Sequence, residues 1–279
     1  MSTKADKKKE RNRDGVCKLT GIHGRFVVSH VLPRALTLIS RSGEKVHESG
    51  LDARPKKRPP TWYDDQLVIA QGEKVLEDID TTGIKLLRQH KLVWSAFPDD
   101  SALNLGTLMP VAERVFIREI TLGNAHDLRL FFLSIAWRAA ASLRPEFRYT
   151  HLPEHTVEDL RQRILAGNPG SPWDYPIVLD QIIDKGDPQN RTPIVEEYGI
   201  ALEGVDEIVR VNSIRIYMDG LVAWVLIAKD MKIDRRSAPI YIGAKEVCVV
   251  VCRHYEGSRT ASDLVEIILD AERRGYRPR

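Results

Sequence analysis

The sequence predicts an α+β fold, and three observations predict it. Apolar residues recur at helical spacing through Leu128, Phe131, Phe132, Ile135, Ala136 and Ala139. Two apolar runs, Ile214 to Met218 and Leu221 to Ile227, flank Asp219-Gly220, a dipeptide suited to a two-residue hairpin turn. A last helical period through Leu264, Val265, Ile268 and Leu269 follows those runs. The helical signals of the middle section thus give way to strand signals in the last third, which a terminal helix closes.

Taken in order, residues 1–14 (MSTKADKKKERNRD) read as a disordered basic arm, charged from the fourth residue and lacking the apolar core of a secretory signal. Residues 15–97 form an N-terminal module. Gly21 and Gly24 separate a polar knuckle at Cys17 from the apolar run Phe26-Val27-Val28, a pattern that suits a short hairpin. Arg41 to Pro60, rich in Gly, Pro, Lys and Arg, predicts a long mobile loop. Trp62 to Val68 reads as extended, and Val75, Ile79, Leu86 and Leu87 as a helix that Thr81-Thr82-Gly83 splits or kinks.

Residues 98–279 make an α+β C-terminal domain. Its helical middle section (about 120 to 170) starts with a helix capped by Asn124 or Asp127. A second helix begins at Thr156, with Asp159 in a capping-box arrangement, and stops near Gly167. A C-terminal antiparallel sheet (about 205 to 275) follows, with further strands at Ile240–Ile242 and Val247–Val251 and a closing helix from Ser262. The helix over Leu128 to Ala139 is expected to pack on that sheet.

Composition narrows the function. With 43% hydrophobic and 29% charged residues, the chain matches an ordinary globular protein. No apolar run approaches the roughly 20 residues of a membrane span. Three cysteines, Cys17, Cys248 and Cys252, favour a reducing, cytoplasmic setting over a disulfide framework. The net charge of +3 is small, but its distribution is uneven. Lys7, Lys8, Lys9, Arg11 and Arg13 crowd the arm, and Arg54, Lys56, Lys57 and Arg58 form a second knot. Both suit phosphate contacts, and both also suit a solvated tail and loop. Cys248 and Cys252 read as buried apolar-like residues, His151 and His155 as solvated loop residues, and the five tryptophans are scattered rather than grouped into a stacking platform. No Walker loop, Gly-x-Gly-x-x-Gly, Gly-x-Ser-x-Gly or His-Glu-x-x-His motif is present.

The one motif with chemistry is Ser29-His30-Val31-Leu32-Pro33, a histidine at a strand end before a turn-forcing proline. A histidine there suits a general base, since its pKa lies near neutrality, and equally an ordinary hydrogen-bonded residue. The stretch CKLTGIHGRFVVSHVLPRALT resembles the opening of HNH nucleases. It is closer to a bacterial group of HNH relatives with a Ser-His-Ile-Ile-Pro-like signature and a long C-terminal extension. The resemblance implies a treble-clef ββα module over residues 15–97, in degenerate form. Thr20 stands where a partner of Cys17 belongs, and Glu77 and Asp80 where a helix-opening cysteine pair belongs. Such a set suits zinc poorly, so the structural zinc is expected to be absent, its role passing to Leu19, Phe26, Val28, Leu76, Ile79 and Leu87.

The resemblance also implies a role for His30 as the catalytic base beside Mg²⁺ or another divalent ion, with Asp64, Asp80 or His90 as metal ligands. Ser29 replaces the usual metal-binding aspartate. The expected partner is DNA, in a phage-defence or mobile-element setting, held by the two basic segments. The alternative is a non-catalytic module that has lost its metal site and docks another protein.

Overall fold

A computed structural model describes residues 14–37, 46–49, 56–58, 62–97, 103–186 and 189–273. The basic arm through Arg13, and Arg54 of the second knot, lie outside them.

The N-terminal unit opens with β1 (Asp14–Val16) and β2 (His23–Arg25), paired antiparallel. Asp14 therefore belongs to a strand rather than to the arm. The knuckle between the strands closes on Cys17, whose carbonyl accepts from Gly21 N–H at 2.8 Å. Gly21 takes a φ of 73°, where a side chain would be strained. Next come β3 (Ser29–His30) and its antiparallel partner β6 (Tyr63–Asp64), then helix α1 (Ala70–Gln89). The loop expected over residues 41–60 contains two short strands, β4 (Val46–Ser49) and β5 (Lys56–Arg58). β4 pairs with β5 antiparallel and in parallel with β10 (Gln189–Arg191), far along the chain.

Helix α1 runs unbroken through Thr81-Thr82-Gly83. Thr82 turns its hydroxyl back onto the Asp78 carbonyl at 3.0 Å, so the helix absorbs it. Gly83 is buried against Phe131 of α2 (Ala125–Ala141), the close approach for which a residue without Cβ is needed. Helix α2 is more than a single stripe. Thirteen of its residues are buried, Arg129 and Arg138 among them, because α1, α3 (Glu154–Leu165) and the main sheet enclose it. No side-chain bond from Asn124 caps it. Helix α3 starts two residues before Thr156: Pro153 is its N-cap, and Thr156 is buried rather than capping. It ends, as expected, before Gly167, which takes a φ of 60°.

The main sheet has seven strands in the order β11-β12-β13-β9-β14-β8-β7. These are β7 (Met109–Ala112), β8 (Val115–Thr121), β9 (Ile177–Ile182), β11 (Ile194–Ile200), β12 (Val209–Met218), β13 (Leu221–Leu226) and β14 (Val247–Arg253). It is mixed rather than antiparallel, since β14 joins β9 in parallel, and it recruits β7 and β8 from before the helices. Ile240–Ile242 is not a strand; Arg235–Ile240 winds into a 3₁₀ segment containing Pro239, whose missing N–H suits a turn better than a ladder. The terminal helix α4 (Arg259–Arg273) starts earlier than Ser262, because Ser258 provides the cap, its Oγ accepting from Ala261 N–H at 3.1 Å. One buried cluster runs from Cys17 and Leu76 through Phe131 to Ile214 and Cys252, so the core is continuous across residue 97.

The Asp219-Gly220 turn forms, with φ of 48° and 79°. Its carboxylate is buried and accepts from Ser95 N–H at 3.0 Å, while the Asp219 carbonyl accepts from Trp94 N–H at 2.9 Å. The hairpin thus grips the segment that follows α1. Burial pushes the Asp219 carboxyl up to about 6. Between its ordinary value and 6 the folded chain holds a proton that the unfolded chain has lost, so stability falls as pH rises through that window. Asp219→Asn removes the charge, keeps an acceptor for Ser95 and suits a positive φ. Denaturant unfolding at pH 7.5 is expected to show Asp219→Asn more stable by about 2 kcal/mol, with the gain vanishing near pH 4. A less stable variant at pH 7.5 would refute the account.

Candidate functional site

The motif residues lie where β3, β6, α1 and α2 meet. Pairing of Ser29 with Asp64 and His30 with Tyr63 buries Ser29 completely and leaves the His30 imidazole half-buried. Pro33 then starts a 3₁₀ turn, Arg34–Leu36, which carries Arg34 at the surface. His30 is held below the ordinary histidine range, first by burial and then by the guanidiniums of Arg34 and Arg138. At neutral pH it is an uncharged imidazole, able to accept a proton.

Arg138 organises the interior of this region. Its five N–H groups are all used: Nη1 donates to the His30 carbonyl at 2.7 Å and to Asp80 Oδ2 at 2.9 Å, Nη2 to Asp80 Oδ1 at 2.6 Å and to Ser134 Oγ at 3.2 Å, and Nε to the Ser134 carbonyl at 3.3 Å. A fork-to-fork pair of this kind is strong and directional. It joins the strand end at His30 and the middle of α1 to α2.

The expected metal ligands are not brought together. Both oxygens of Asp80 face Arg138. Asp64 is buried and accepts from Ser142 Oγ at 2.6 Å and from Gln66 N–H at 2.8 Å, which ties β6 to the end of α2. His90 closes α1, about 15 Å along the helix axis from Asp80. Its carbonyl accepts from Arg118 at 2.9 Å, and its imidazole is pulled down by burial and by Arg118. Among the described residues, no three His, Cys, Asp or Glu side chains are grouped to hold a metal ion. The donor set Asp64, Asp80 and His90 therefore does not fit a divalent ion, because its carboxylates already serve buried protein donors.

The knuckle also differs from expectation. Cys17 is buried, and its sulfur accepts from Thr20 N–H at 3.4 Å. The helix residue beside it is Gly72: a Cβ there would lie 2.9 Å from the sulfur. Glu77 and Asp80, expected to oppose Cys17, sit farther along α1, and Glu77 is exposed beside Lys74. The helix begins at Ala70, earlier than the apolar period starting at Val75 indicated. Packing at the knuckle comes from Leu19, Leu76 and Leu87, fully enclosed, with Phe26 and Ile79 at the margin; Val28 is 54% exposed and contributes little.

Two residues of the site had escaped notice. Glu73, in the first turn of α1, faces Ser29, and burial raises its carboxyl above the usual range. The buried Ser29 hydroxyl and the Glu73 carboxyl interact with each other, which partly offsets the upward push of burial. Placing the helix start at Ala70 would have pointed to Glu73. Arg138 falls at the margin of the apolar stripe, seven residues after Phe131, where nothing in the local sequence tells a buried arginine from a solvated one.

Of the basic segments, Lys56, Lys57 and Arg58 lie on β5, antiparallel to β4. Compared against protein families, curated proteins and solved structures, the chain matches none. No helix among the described residues is long and apolar enough to cross a membrane.

Proposed function

We propose that the protein binds nucleic acid through the surface around His30 and descends from the HNH nucleases, the phosphodiester backbone lying against Arg34 and His30. The observation that carries this reading is an uncharged, half-exposed imidazole flanked by two guanidiniums, one buried and saturated (Arg138) and one exposed (Arg34). Arg34 is exposed, so its guanidinium can meet a phosphate. The basic segments Lys7, Lys8, Lys9, Arg11, Arg13 and Arg54, Lys56, Lys57, Arg58 add attraction that needs no sequence recognition. Asp80 and Asp64 are structural in this reading, and cleavage is a question put to experiment.

Duplex binding followed by fluorescence anisotropy tests it. Affinity should fall steeply with salt, and Arg34→Ala should lower the salt slope by about 1. Protonation of His30 adds a positive charge, so affinity should rise as pH falls through its pKa, below the ordinary 6.5. A plasmid assay with Mg²⁺ and Mn²⁺ runs alongside. Nicking lost in His30→Ala would make the protein a working nuclease, whereas retention of uncut DNA would make it a binding module. With neither cutting nor binding, the nucleic-acid reading falls. Protein docking is then the reading to pursue, favoured by Val16, Ile22 and Val28, three exposed apolar side chains in the N-terminal hairpin region.

A further inference from the structure

Directly opposed residues of an antiparallel pair point to the same side, and burial tells the two sides of the β3–β6 ribbon apart. Ser29 and Asp64 face inward and are buried. His30 and its partner Tyr63 face outward, and Tyr63 is exposed. Cross-strand neighbours of this kind have Cβ atoms about 5 Å apart, so an exposed aromatic ring stands beside the His30 imidazole.

The chain leaving α2 returns to this edge. Ser142, the C-cap of α2, donates to Asp64, next to Tyr63, at 2.6 Å. Leu143 follows and is 81% exposed. A 3₁₀ turn, Pro145–Phe147, then has Arg144 at its start and Arg148 at its end. The Arg144 guanidinium lies over the ring of Tyr63, 4.9 Å from its centroid, and that of Arg148 over the ring of Tyr149 at 5.0 Å. Tyr149 is exposed as well. Arg144 is paired with Glu146, at 3.3 Å from Nε and 3.0 Å from Nη2, so its charge is met within the protein and its flat group backs the ring.

Buried contacts fix the backbone that carries both tyrosines. Trp62, just before Tyr63, packs edge-on against the buried Phe147 of the turn, with centroids 6.0 Å apart. The Thr150 hydroxyl donates to the Ala139 carbonyl of α2 at 2.9 Å, and the Tyr149 carbonyl accepts from Val195 N–H at 2.9 Å. Two arginine-backed rings and a bare leucine are thus held at the surface in one stretch beside His30.

Phosphate has no use for such rings, whereas every nucleic-acid base has a π face to lay on one. In a duplex the bases are stacked on each other, closed to a ring that approaches from the backbone. From this geometry we infer that Tyr63 and Tyr149 form a stacking platform for unpaired bases, so that the nucleic acid held at His30 is single-stranded there. This inference rests on the nucleic-acid reading of the His30 surface and names the form of its ligand.

The test uses the full chain and fluorescence anisotropy with three labelled probes of equal length: a single-stranded oligonucleotide, a strand of the same backbone made of abasic sites, and a duplex. Wild type should bind the base-bearing strand about tenfold or more tightly than the abasic one, which carries the same phosphates. The double variant Tyr63→Ala, Tyr149→Ala should lose that advantage with its salt slope unchanged, since the slope counts phosphate contacts. Its duplex affinity should not change, and the double Tyr→Phe variant should keep the advantage because it keeps both rings. Equal, salt-dependent binding of the base-bearing and abasic strands by wild type overturns the platform and leaves the His30 reading standing. A loss in the double Tyr→Ala variant shared equally with the duplex also overturns it. Binding of none of the three probes overturns both. Should the double Tyr→Ala variant fail to fold, the wild-type comparison of the base-bearing and abasic strands decides alone.

Discussion

Replacing Arg138 with methionine is expected to cost about 3–5 kcal/mol of stability, the range for removing one partner of a buried ion pair. The guanidinium is 1% exposed and the Asp80 carboxylate 16%, so solvent screens the pair little. Methionine fills much of the volume yet leaves Asp80 charged with no donor, and the His30 carbonyl without its 2.7 Å contact. Adding Asp80→Asn should recover part of the loss, because the stranded charge disappears. Arg138→Lys should recover less than its charge suggests, since a lysine presents three donors from one point where five in a planar fork are used. Urea unfolding of the three variants checks the series. A cost below 1 kcal/mol for Arg138→Met would show that the pair does not secure the N-terminal unit to α2.

Gly83→Ala is expected to destabilise, against its helix propensity. At an exposed helix position the same change gains about 1 kcal/mol. Here the added Cβ falls within the ring of Phe131, where α1 and α2 approach most closely. Overpacking at such a contact costs about 1–3 kcal/mol, and more where both backbones are fixed. The neighbour is a fully buried ring, met at its Cβ and Cγ where it cannot swing away, so the upper end is expected. Pairing Gly83→Ala with Phe131→Leu should restore part of the loss by opening space, and denaturant unfolding of the two variants measures it. A stabilised Gly83→Ala would mean that α1 shifts freely along α2.

What was legible in the sequence follows from what each element relies on. Helix α2 announced itself through its apolar spacing, and the β12–β13 hairpin through Asp219-Gly220. Both depend on local pattern. By contrast, β4 and β10 are held by backbone pairing across some 140 residues of chain, and nothing local marks them. The candidate site divides in the same way. His30 was visible because a strand end and a proline frame it. Asp64 and Asp80 were recognisable as carboxylates, but their partners, Ser142 and Arg138, come from the C-cap and the body of α2. Local reading cannot distinguish a carboxylate that awaits a cation from one that already has a protein donor. The burial of Arg129 escaped notice for the same reason: it donates to the carbonyls of Pro169, Gly170 and Ser171 in a distant loop.

The position of β14 has a consequence for how the protein is made. It is the last strand among the described residues, yet it lies inside the sheet between β9 and β8. During synthesis β8 and β9 emerge long before it, each presenting an unpaired edge toward the space it will fill. The sheet therefore stays in two pieces until residues 247–253 have left the ribosome, and its closure is a non-local step. A nascent chain stalled between residues 182 and 247 would display two adhesive strand edges, so translational pauses in that interval expose this protein to aggregation more than pauses before β8 is made.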